Sequence, residues 1–230
     1  MLDETVIESN ILSFKEKVEK LSADVGRQVR IVAATKTQPK ELLDFIAEKS
    51  LLTDVGENRV QEFVQKYDPA SGLNYHIIGQ LQSNKVKYIA GKVALIHSLD
   101  RLSLADEIEK QYAKRGITAD CLVEINMGSE LSKGGVDPEE LYGFVDSLRG
   151  FCHINVKGIM SVMPNVEINA LIGYYKKFAL LFAGLEKMRG GNVSPDICSC
   201  GMSNDYAPAI EYGGSNMVRP GRVLFGERNK

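Results

Sequence analysis

From residue 29 onward, short apolar runs alternate with longer segments in which apolar residues recur every three or four positions. The short runs are typical of strands buried on both faces of a parallel sheet, and the longer segments of amphipathic helices. We predict eight strands, at residues 29–35, 51–55, 75–78, 93–97, 121–126, 156–160, 197–199 and 217–219. The clearest helices are predicted at residues 39–48, 59–67, 102–115, 138–148 and 168–188. Eight alternating strands favour a closed (β/α)8 TIM barrel, with an open doubly wound sheet as the alternative.

A further helix is predicted ahead of the first strand. Apolar residues recur there at spacings of four, three, four and three, namely Ile7, Ile11, Phe14, Val18 and Leu21. Such a stripe predicts a helix lying against the rest of the domain, and a partner-binding helix is the alternative. No linker-like stretch or internal repeat divides the sequence. We therefore predict one α/β domain over residues 1–230, in which residues 1–25 form an extra N-terminal helix packed on the barrel.

Composition and charge exclude several classes of partner. The chain has 230 residues, of which 44% are hydrophobic and 25% charged, as in ordinary globular proteins. With 28 Lys and Arg against 30 Asp and Glu, the net charge is −2, and no basic cluster favours nucleic acid. No apolar run approaches the length of a membrane span, and the first residues lack the character of a secretory signal. We expect a cytoplasmic monomer that binds neither nucleic acid nor a membrane.

The four cysteines give no sign of a metal site. Cys198 and Cys200 are close in sequence, but a single Cys-x-Cys without a second pair of ligands is a weak signal. Two cysteines fall in predicted strands, where free cysteine behaves as a small apolar residue. His97 and His153 show no ligand spacing to each other or to cysteine. We assign no metal ligand.

Unusual polar residues follow the predicted strands. They are Lys36, Glu57 with Asn58, His76 with Gly79, Asn126, Ser161, the run Gly201-Met202-Ser203 and the run Arg219-Pro220-Gly221-Arg222. In a barrel the carboxyl ends of the strands meet on one rim, and chemistry in this fold sits on that rim. The convergence of separate elements there indicates a single site.

Lys36 ends the most apolar of these strands. An ammonium in that position is costly unless it is solvated, paired or consumed in a covalent bond. A Schiff base with an aldehyde is one such bond, because desolvation favours the neutral, nucleophilic amine. The alternative is a lysine at the end of a strand whose ammonium extends into solvent.

The loops after the last two strands suit a phosphate. Ser203 is a good helix N-cap, and Gly201 and Gly221 let a ligand approach the backbone closely. Barrels frequently bind phosphate in these loops, to which Arg222 can add charge. A capped turn without a ligand is the alternative for Ser203. Arg219 can point into the mouth of the barrel and meet a ligand ring or anion, and an ion pair with Glu211 or Glu227 is the alternative. Pro208 is expected to shorten the first helical turn after Ser203.

Two further polar residues lie in or just after predicted strands. Asn58 lies just after the second strand, where it can cap a helix or contact a ligand. His76 lies within a strand, where a buried, hydrogen-bonded histidine is the common outcome. We predict a mobile rim loop at residues 128–135, in which Lys133 is followed by two glycines.

Several motifs resemble one known family across nearly the whole chain. They are Ala34-Thr35-Lys36-Thr37, the run from Gly56 to Glu62, the run from His76 to Lys85, Lys157-Gly158-Ile159-Met160, Gly201-Met202-Ser203 and Met217-Val218-Arg219. Together, in this order and spacing, they resemble the pyridoxal phosphate homeostasis proteins of the YggS/PROSC type.

The resemblance implies a barrel similar to the N-terminal domain of alanine racemase, with pyridoxal 5′-phosphate (PLP) as a Schiff base. It implies that Lys36 forms this bond, that Ser203 binds the phosphate, and that Arg219 faces the pyridine nitrogen. Asn58, His76 and Met160 are implied as pocket-lining residues. The full predicted set for PLP is Lys36, Asn58, His76, Met160, Met202, Ser203, Arg219, Gly221 and Arg222.

The sequence departs from the family pattern in two places. Gln80 stands where proline is frequent, and Pro220-Gly221-Arg222 stands where Ile-Gly-Thr is common. Because the second departure falls at the phosphate, we predict that the Arg222 guanidinium takes over from the missing threonine hydroxyl.

Two functions follow from this site. An arginine opposite the pyridine nitrogen leaves that nitrogen unprotonated, so the ring is a weak electron sink. Racemases with such an arginine also use an opposed acid or base, usually from a second domain, and we expect none here. The favoured function is therefore a PLP carrier or regulator of the vitamin B6 and amino-acid pools, with PLP-dependent enzymes as recipients and no assigned catalytic residue. The alternatives are a PLP enzyme such as a slow amino-acid racemase, and a barrel for another phosphorylated ligand.

Overall fold

Eight parallel strands form a closed barrel in the computed structural model, which describes residues 3–128 and 134–226. Each strand pairs with the next in sequence. The strands are β1 (Arg30–Ala34), β2 (Asp54–Glu57), β3 (Asn74–Ile77), β4 (Leu95–Leu99), β5 (Ala119–Glu124), β6 (Ile154–Met160), β7 (Val193–Ser199) and β8 (Met217–Val218). The predicted TIM barrel is confirmed.

The barrel closes between its first and last strands. In β1, Arg30 and Ile31 pair in parallel with Met217 and Val218 of β8. On its other edge β1 pairs with β2, in the register Val32 to Asp54. This closure removes both edges that an open sheet would have, so the doubly wound alternative is excluded.

Helices occupy the connections between the strands. They are α1 (Glu4–Asp24), α2 (Lys40–Glu48), α3 (Val60–Lys66), α4 (Val86–Ile89), α5 (Leu102–Ala113), α6 (Leu141–Ser147), α7 (Ile168–Glu186), α8 (Tyr206–Tyr212) and α9 (Arg222–Phe225). Short 3-10 turns lie at Ser83–Lys85 and Leu148–Gly150. No helix within the described residues is long and apolar enough to cross a membrane.

Two apolar cores result from this arrangement. The smaller one fills the barrel with side chains from five strands: Val32, Leu95, Leu122, Met160 and Met217. The larger one lies between the barrel and its helices and includes the buried face of α1. Because alternate residues of a strand point to opposite faces, one strand can contribute to both cores, as β1 does with Val32 inside and Ala33 outside.

The N-terminal helix packs against the last elements of the chain, as its apolar stripe predicts. Ile7, Ile11, Phe14 and Val18 are buried, and the Phe14 ring meets the Tyr206 ring edge-on at 4.7 Å. The helix therefore supports α8, which follows the predicted phosphate loop.

The second strand lies later in the sequence than predicted. It runs from Asp54 to Glu57, whereas Leu51 and Leu52 form a buried connection before it. These two leucines pack on the core without a place in the ladder, and apolarity alone does not distinguish the two situations. As a result, Glu57 is the last residue of the strand and is itself buried.

The helix predicted from Pro138 begins three residues later. The Asp137 carboxylate accepts the N–H of Glu139 at 2.8 Å, so the cap-like residue closes a turn. Helix α6 starts at Leu141. The same side-chain chemistry serves turns and helix caps, which explains the difference.

Candidate functional site

A cavity of about 550 Å³ opens at the carboxyl end of the barrel. Its lining residues come from the ends of six strands: Ala34, Lys36, Asn58, Ile78, Val162, Met202, Ser203, Arg219, Gly221 and Arg222. Seven of the nine residues predicted from sequence are among them, which brings the amine, the hydroxyl and both arginines to one place. The volume lies within the range of small-molecule sites.

Arg219 is buried in the wall of this cavity. Its side chain donates to Ser199 Oγ at 2.6 Å and to the Ser161 carbonyl at 2.9 Å, and only 4% of the residue is exposed. Burial lowers the pKa of Arg219, but a guanidinium remains protonated. These two bonds use two of five N–H donors and fix the plane of the guanidinium. Of the two alternative partners, Glu227 lies outside the described residues, and the bonds seen for Arg219 go to neutral groups rather than to Glu211.

Ser203 connects the two loops that the sequence assigned to phosphate. Its hydroxyl accepts the N–H of Gly221 at 3.0 Å and that of Val223 at 3.2 Å. Since both bonds are accepted, the hydroxyl can still donate its own proton. The expected N-cap role is wrong: Asp205 is the residue that precedes α8. Ser203 lies too early for that helix and instead binds the backbone around the start of α9.

The loop that carries Met202 and Ser203 is held by Asp205. One carboxylate oxygen accepts the N–H of Met202 at 2.6 Å, and the other accepts the Tyr175 hydroxyl at 2.7 Å. Burial and the nearby Asp205 carboxylate raise the pKa of Tyr175, so this phenol is a permanent donor. Pro208 lies inside α8 and not at a break, because the first turn of a helix needs no N–H from it.

Gly201 allows this loop to pack tightly. A Cβ at this position would lie 2.6 Å from the Cβ of Ala209, and its φ of +91° also disfavours other residues. The loop is therefore positioned by close packing as well as by hydrogen bonds.

Asn58 lines the cavity, and the segment after β3 packs directly on the backbone of its loop. A Cβ at Gly79 would lie 2.5 Å from the Asn58 carbonyl oxygen, so the two segments touch without side chains between them. Helix α3 follows Arg59 and has no side-chain cap bond. Asn58 therefore lines the cavity and is not the cap residue of this helix, and its contact with a ligand stays a prediction.

His76 and Met160 are not among the residues that line the cavity. Met160 belongs to the apolar core inside the barrel, on which the cavity residue Ile78 packs. His76 is buried and hydrogen-bonded, as expected for a strand histidine, with Asp54 Oδ1 at 2.9 Å and His97 Nε2 at 2.9 Å. Whether these two residues influence a bound ligand stays a prediction.

Two buried histidines lie side by side inside the barrel. The Asp54 carboxylate only accepts, so Nε2 of His76 donates to it, and Nδ1 of His76 lies within hydrogen-bond distance of His97 Nε2. His97 Nδ1 has no hydrogen-bond partner among the described residues. Burial lowers the pKa of His97 well below its usual value, with the His76 and Arg219 charges acting in the same direction, so this ring is neutral.

The partly buried carboxyl of Glu124 lies within the field of Arg219. Burial raises the pKa of Glu124 to about 7, with Asp100 raising it further and Arg219 opposing the rise. Its Oε2 has no hydrogen-bond partner in the described part of the chain. The folded protein therefore disfavours the ionised form of this carboxyl.

Glu124→Gln is expected to change how stability depends on pH. The pKa of this carboxyl rises from 4.5 to about 7 on folding, so the folded state holds the proton more tightly than the unfolded state. The folded protein is therefore destabilised as pH increases through that window. At about 1.4 kcal/mol per pKa unit, the ionisation of Glu124 lowers the free energy of unfolding by roughly 3 kcal/mol above pH 7. Urea unfolding at pH 5 and pH 8 should show the variant gaining this amount over the parent at pH 8. Glu211→Gln, on an exposed residue, is the control. The same change in the free energy of unfolding between pH 5 and pH 8 in Glu124→Gln and in the parent would contradict the expectation.

Three apolar residues of the cavity were missed by the sequence reasoning. Ala34, Ile78 and Val162 carry no group that signals chemistry. Strand alternation supplies a usable signal for Ala34, because it lies two residues before Lys36 and so points the same way. Most of the predicted rim loop at 128–135 lies outside the described residues, as does Lys133. Among the described residues, no cluster of three potential metal ligands occurs.

Comparison with known proteins agrees with this barrel. The family model for the alanine racemase N-terminal domain matches residues 10–229. A pyridoxal phosphate homeostasis protein from Aquifex aeolicus is 42% identical over 219 residues, which cover 93% of this chain and 94% of the relative. The protein of the same name from Haemophilus influenzae is 32% identical over 97% of this chain and 96% of its own length.

A solved structure shares the fold. PipY from Synechococcus elongatus PCC7942, with PLP bound, superposes with a TM-score of 0.81 at 24% identity, covering 96% of this chain and all of PipY. At that identity the likeness concerns the fold. The protein is thus a closed barrel of the alanine racemase type, with a lysine in the loop that follows its first strand. Within that class, the chain belongs to the pyridoxal phosphate homeostasis protein family.

Proposed function

We propose that this protein binds PLP in the cavity at the carboxyl end of the barrel, as a Schiff base on Lys36. The observation that supports this is the meeting of Lys36, Arg219 and Ser203 on one cavity. The lysine amine adds to the aldehyde carbon, a C=N bond forms and one water leaves, so no further reactant is needed. The chemistry that PLP brings is the stabilisation of carbanions by its ring.

The donor set fits the three functional ends of PLP. Lys36 supplies the amine for the aldehyde, and Arg219 supplies N–H donors for the pyridine nitrogen, an acceptor. The Ser203 hydroxyl, the backbone at Gly221 and the Arg222 guanidinium supply donors for the phosphate. The apolar residues Ala34, Ile78 and Val162 also line the cavity, and apolar side chains suit the faces of a flat ring.

The biological role that we infer is a share in intracellular vitamin B6 and amino-acid homeostasis, without catalysis by the protein itself. The relatives matched over nearly their full lengths are named for pyridoxal phosphate homeostasis. Because Arg219 does not give up a proton, the pyridine nitrogen stays unprotonated and the ring remains a weak electron sink. We propose a cytoplasmic monomer of one domain that passes PLP to PLP-dependent enzymes.

Borohydride reduction followed by mass mapping tests the site. Reduction converts a Schiff base into a stable amine, and a pyridoxyl group on the peptide containing Lys36 is the expected result. A pyridoxyl group confined to another lysine would contradict the assignment. A colourless protein that gains no absorbance band with PLP would point to another phosphorylated ligand.

A slow amino-acid racemase is the second candidate, and the match to the alanine racemase family over residues 10–229 favours keeping it. In that case Lys36 would exchange the α-proton of an amino acid with solvent. Incubation of the PLP-loaded protein with L- and D-amino acids in deuterium oxide separates the two functions. The carrier predicts no exchange above that of free PLP, and the racemase predicts rapid exchange that depends on Lys36.

Arg222→Ala is expected to weaken PLP binding about tenfold. The side chain lines the cavity beside Gly221 but is exposed, so its charge-assisted bond to a phosphate is worth the lower end of the usual range. Equilibrium dialysis at two salt concentrations measures the loss, which should shrink at high salt. Arg115→Ala, on an exposed arginine of another region, is the control. Unchanged PLP affinity in Arg222→Ala would contradict the hypothesis that Arg222 replaces the threonine common in the family.

A further inference from the structure

Three charged side chains meet behind the loop that carries Lys36. Lys66 Nζ lies 2.8 Å from Glu57 Oε1 and 3.5 Å from Glu62 Oε2, and only 6% of Lys66 is exposed. We call these three residues the Lys66 cluster. None of them lines the cavity, so the proposed function leaves them without a role.

The Lys66 cluster binds Thr35, the residue before Lys36. Lys66 Nζ donates to the Thr35 carbonyl at 2.9 Å, and the Thr35 hydroxyl donates to Glu57 Oε1 at 2.7 Å. Both the backbone and the side chain of Thr35 are therefore held by buried charged partners.

The cluster also binds Thr37, the residue after Lys36. The backbone N–H of Thr37 donates to Glu62 Oε2 at 2.6 Å. Thr37 has a φ of +65°, a left-handed conformation that a β-branched residue rarely adopts. Such a conformation persists where surrounding bonds hold it, and the bond from Glu62 is one of them.

We propose that Glu57, Lys66 and Glu62 are positioning residues that fix the backbone on both sides of Lys36, so that its amine is directed at the PLP aldehyde. This inference rests on the proposed function. A lysine side chain has four rotatable carbon–carbon bonds, so a fixed backbone origin limits the volume that its amine can explore. A displacement of about 1 Å at a reacting group can lower the reaction rate on the order of a hundredfold.

The charges of the Lys66 cluster suit this task. An ammonium has three donors, and here they meet the Glu57 carboxylate, the Thr35 carbonyl and the Glu62 carboxylate. Burial raises the pKa of Glu57, while Lys66 and Thr35 oppose the rise through their hydrogen bonds. Lys66 thus supports the ionised form of the carboxylate that accepts from Thr35.

Two substitutions at Glu62 provide the first test. Glu62→Ala removes the acceptor of the Thr37 N–H, whereas Glu62→Gln keeps an oxygen there. We expect Glu62→Ala to weaken PLP binding at least about tenfold, measured by the absorbance of the Schiff base and confirmed by borohydride mapping to Lys36. Glu62→Gln should remain within about twofold of the parent, since the amide oxygen accepts the same N–H.

A ligand without an aldehyde distinguishes positioning from general damage. Pyridoxine 5′-phosphate has the same ring and phosphate but a hydroxymethyl group in place of the aldehyde, so it cannot form the Schiff base. Its affinity should be the same for Glu62→Ala and the parent. An equal loss for both ligands would mean that the pocket itself had changed, and would overturn the proposal.

Lys66→Met provides a second test at the centre of the cluster. It should weaken PLP binding at least about tenfold, again with little effect on pyridoxine 5′-phosphate. Lys40→Met is the matched control, because it breaks a lysine–carboxylate pair in α2 whose partners are both 41% exposed. PLP affinities equal to the parent in both Glu62→Ala and Lys66→Met would overturn the inference while leaving the proposed function standing. A parent protein without a pyridoxyl group on Lys36 would overturn the proposed function, and the inference with it.

Discussion

Replacing Lys36 by alanine is expected to abolish the Schiff base with PLP. The variant should show no absorbance band of a protein-bound imine, and borohydride should leave no pyridoxyl group on the protein. The reason is that no other lysine lines the cavity among the described residues, so no second amine stands at the aldehyde. Free PLP would then bind through its ring and phosphate alone.

The expected loss of PLP affinity in Lys36→Ala is at least about a hundredfold, because a covalent bond formed between positioned groups is worth far more than one hydrogen bond. Inorganic phosphate and pyridoxine 5′-phosphate should bind as they do to the parent. Lys40→Ala, four residues further on and outside the cavity, is the control and should keep the full absorbance band. A pyridoxyl group that persists in Lys36→Ala would place the bond elsewhere and contradict the site.

The closed barrel could be predicted from the sequence because its cause is local. Most strands are largely buried and rich in apolar residues, and the longer helices have one apolar stripe. Eight repetitions of that pattern leave few arrangements besides a closed sheet. The boundaries were less certain, since buried connections such as Leu51 and Leu52 have the same composition as strands.

The position of the candidate site was also predictable, for a geometric reason. In a parallel barrel every strand ends on the same rim, so the polar residues after the strands converge whatever the details of the loops. Lys36, Ser203 and Arg219 needed no further information to be placed together. Ile78 and Val162 could not be found in this way, because apolar side chains at strand ends are common in the core.

The hydrogen-bond partners could not be predicted, because they join residues distant in sequence. Serine is a residue type that often caps helices, yet the Ser203 hydroxyl accepts N–H groups from the segment after β8. Lys66 has the position of a surface lysine at the end of α3, yet its ammonium is buried beneath the Lys36 loop. In both cases the decisive contact depends on how two neighbouring strands place their loops, which a one-dimensional pattern does not contain.

The sequence favoured a buried, hydrogen-bonded His76, whereas the family resemblance implied that it lines the pocket. In the structure this residue bonds Asp54 and His97 inside the barrel. Ile78, two residues later on the same face of the strand, does line the cavity. The buried, hydrogen-bonded histidine expected from the strand is confirmed, and a contact of His76 with a ligand stays a prediction.

Arg219→Met is expected to lower PLP affinity on the order of a hundredfold and to destabilise the protein as well. The substitution removes the donors proposed for the pyridine nitrogen, and bonds that involve a charged group contribute about 1.5–3 kcal/mol each. It also deprives Ser199 Oγ and the Ser161 carbonyl, both in buried residues, of a partner, at a cost of about 1–3 kcal/mol in the free energy of unfolding. PLP titration and urea unfolding measure the two effects separately.

Arg27→Met is the matched control for Arg219→Met. Arg27 also donates its guanidinium N–H groups to buried or partly buried acceptors, the carbonyls of Ile210 and Ser215, but it does not line the cavity. Both variants should therefore unfold at lower urea concentrations than the parent, whereas only Arg219→Met should lose affinity for PLP. If the two variants lost PLP affinity to the same degree, the effect of Arg219 would reduce to general destabilisation, and its assignment to the pyridine nitrogen would be wrong.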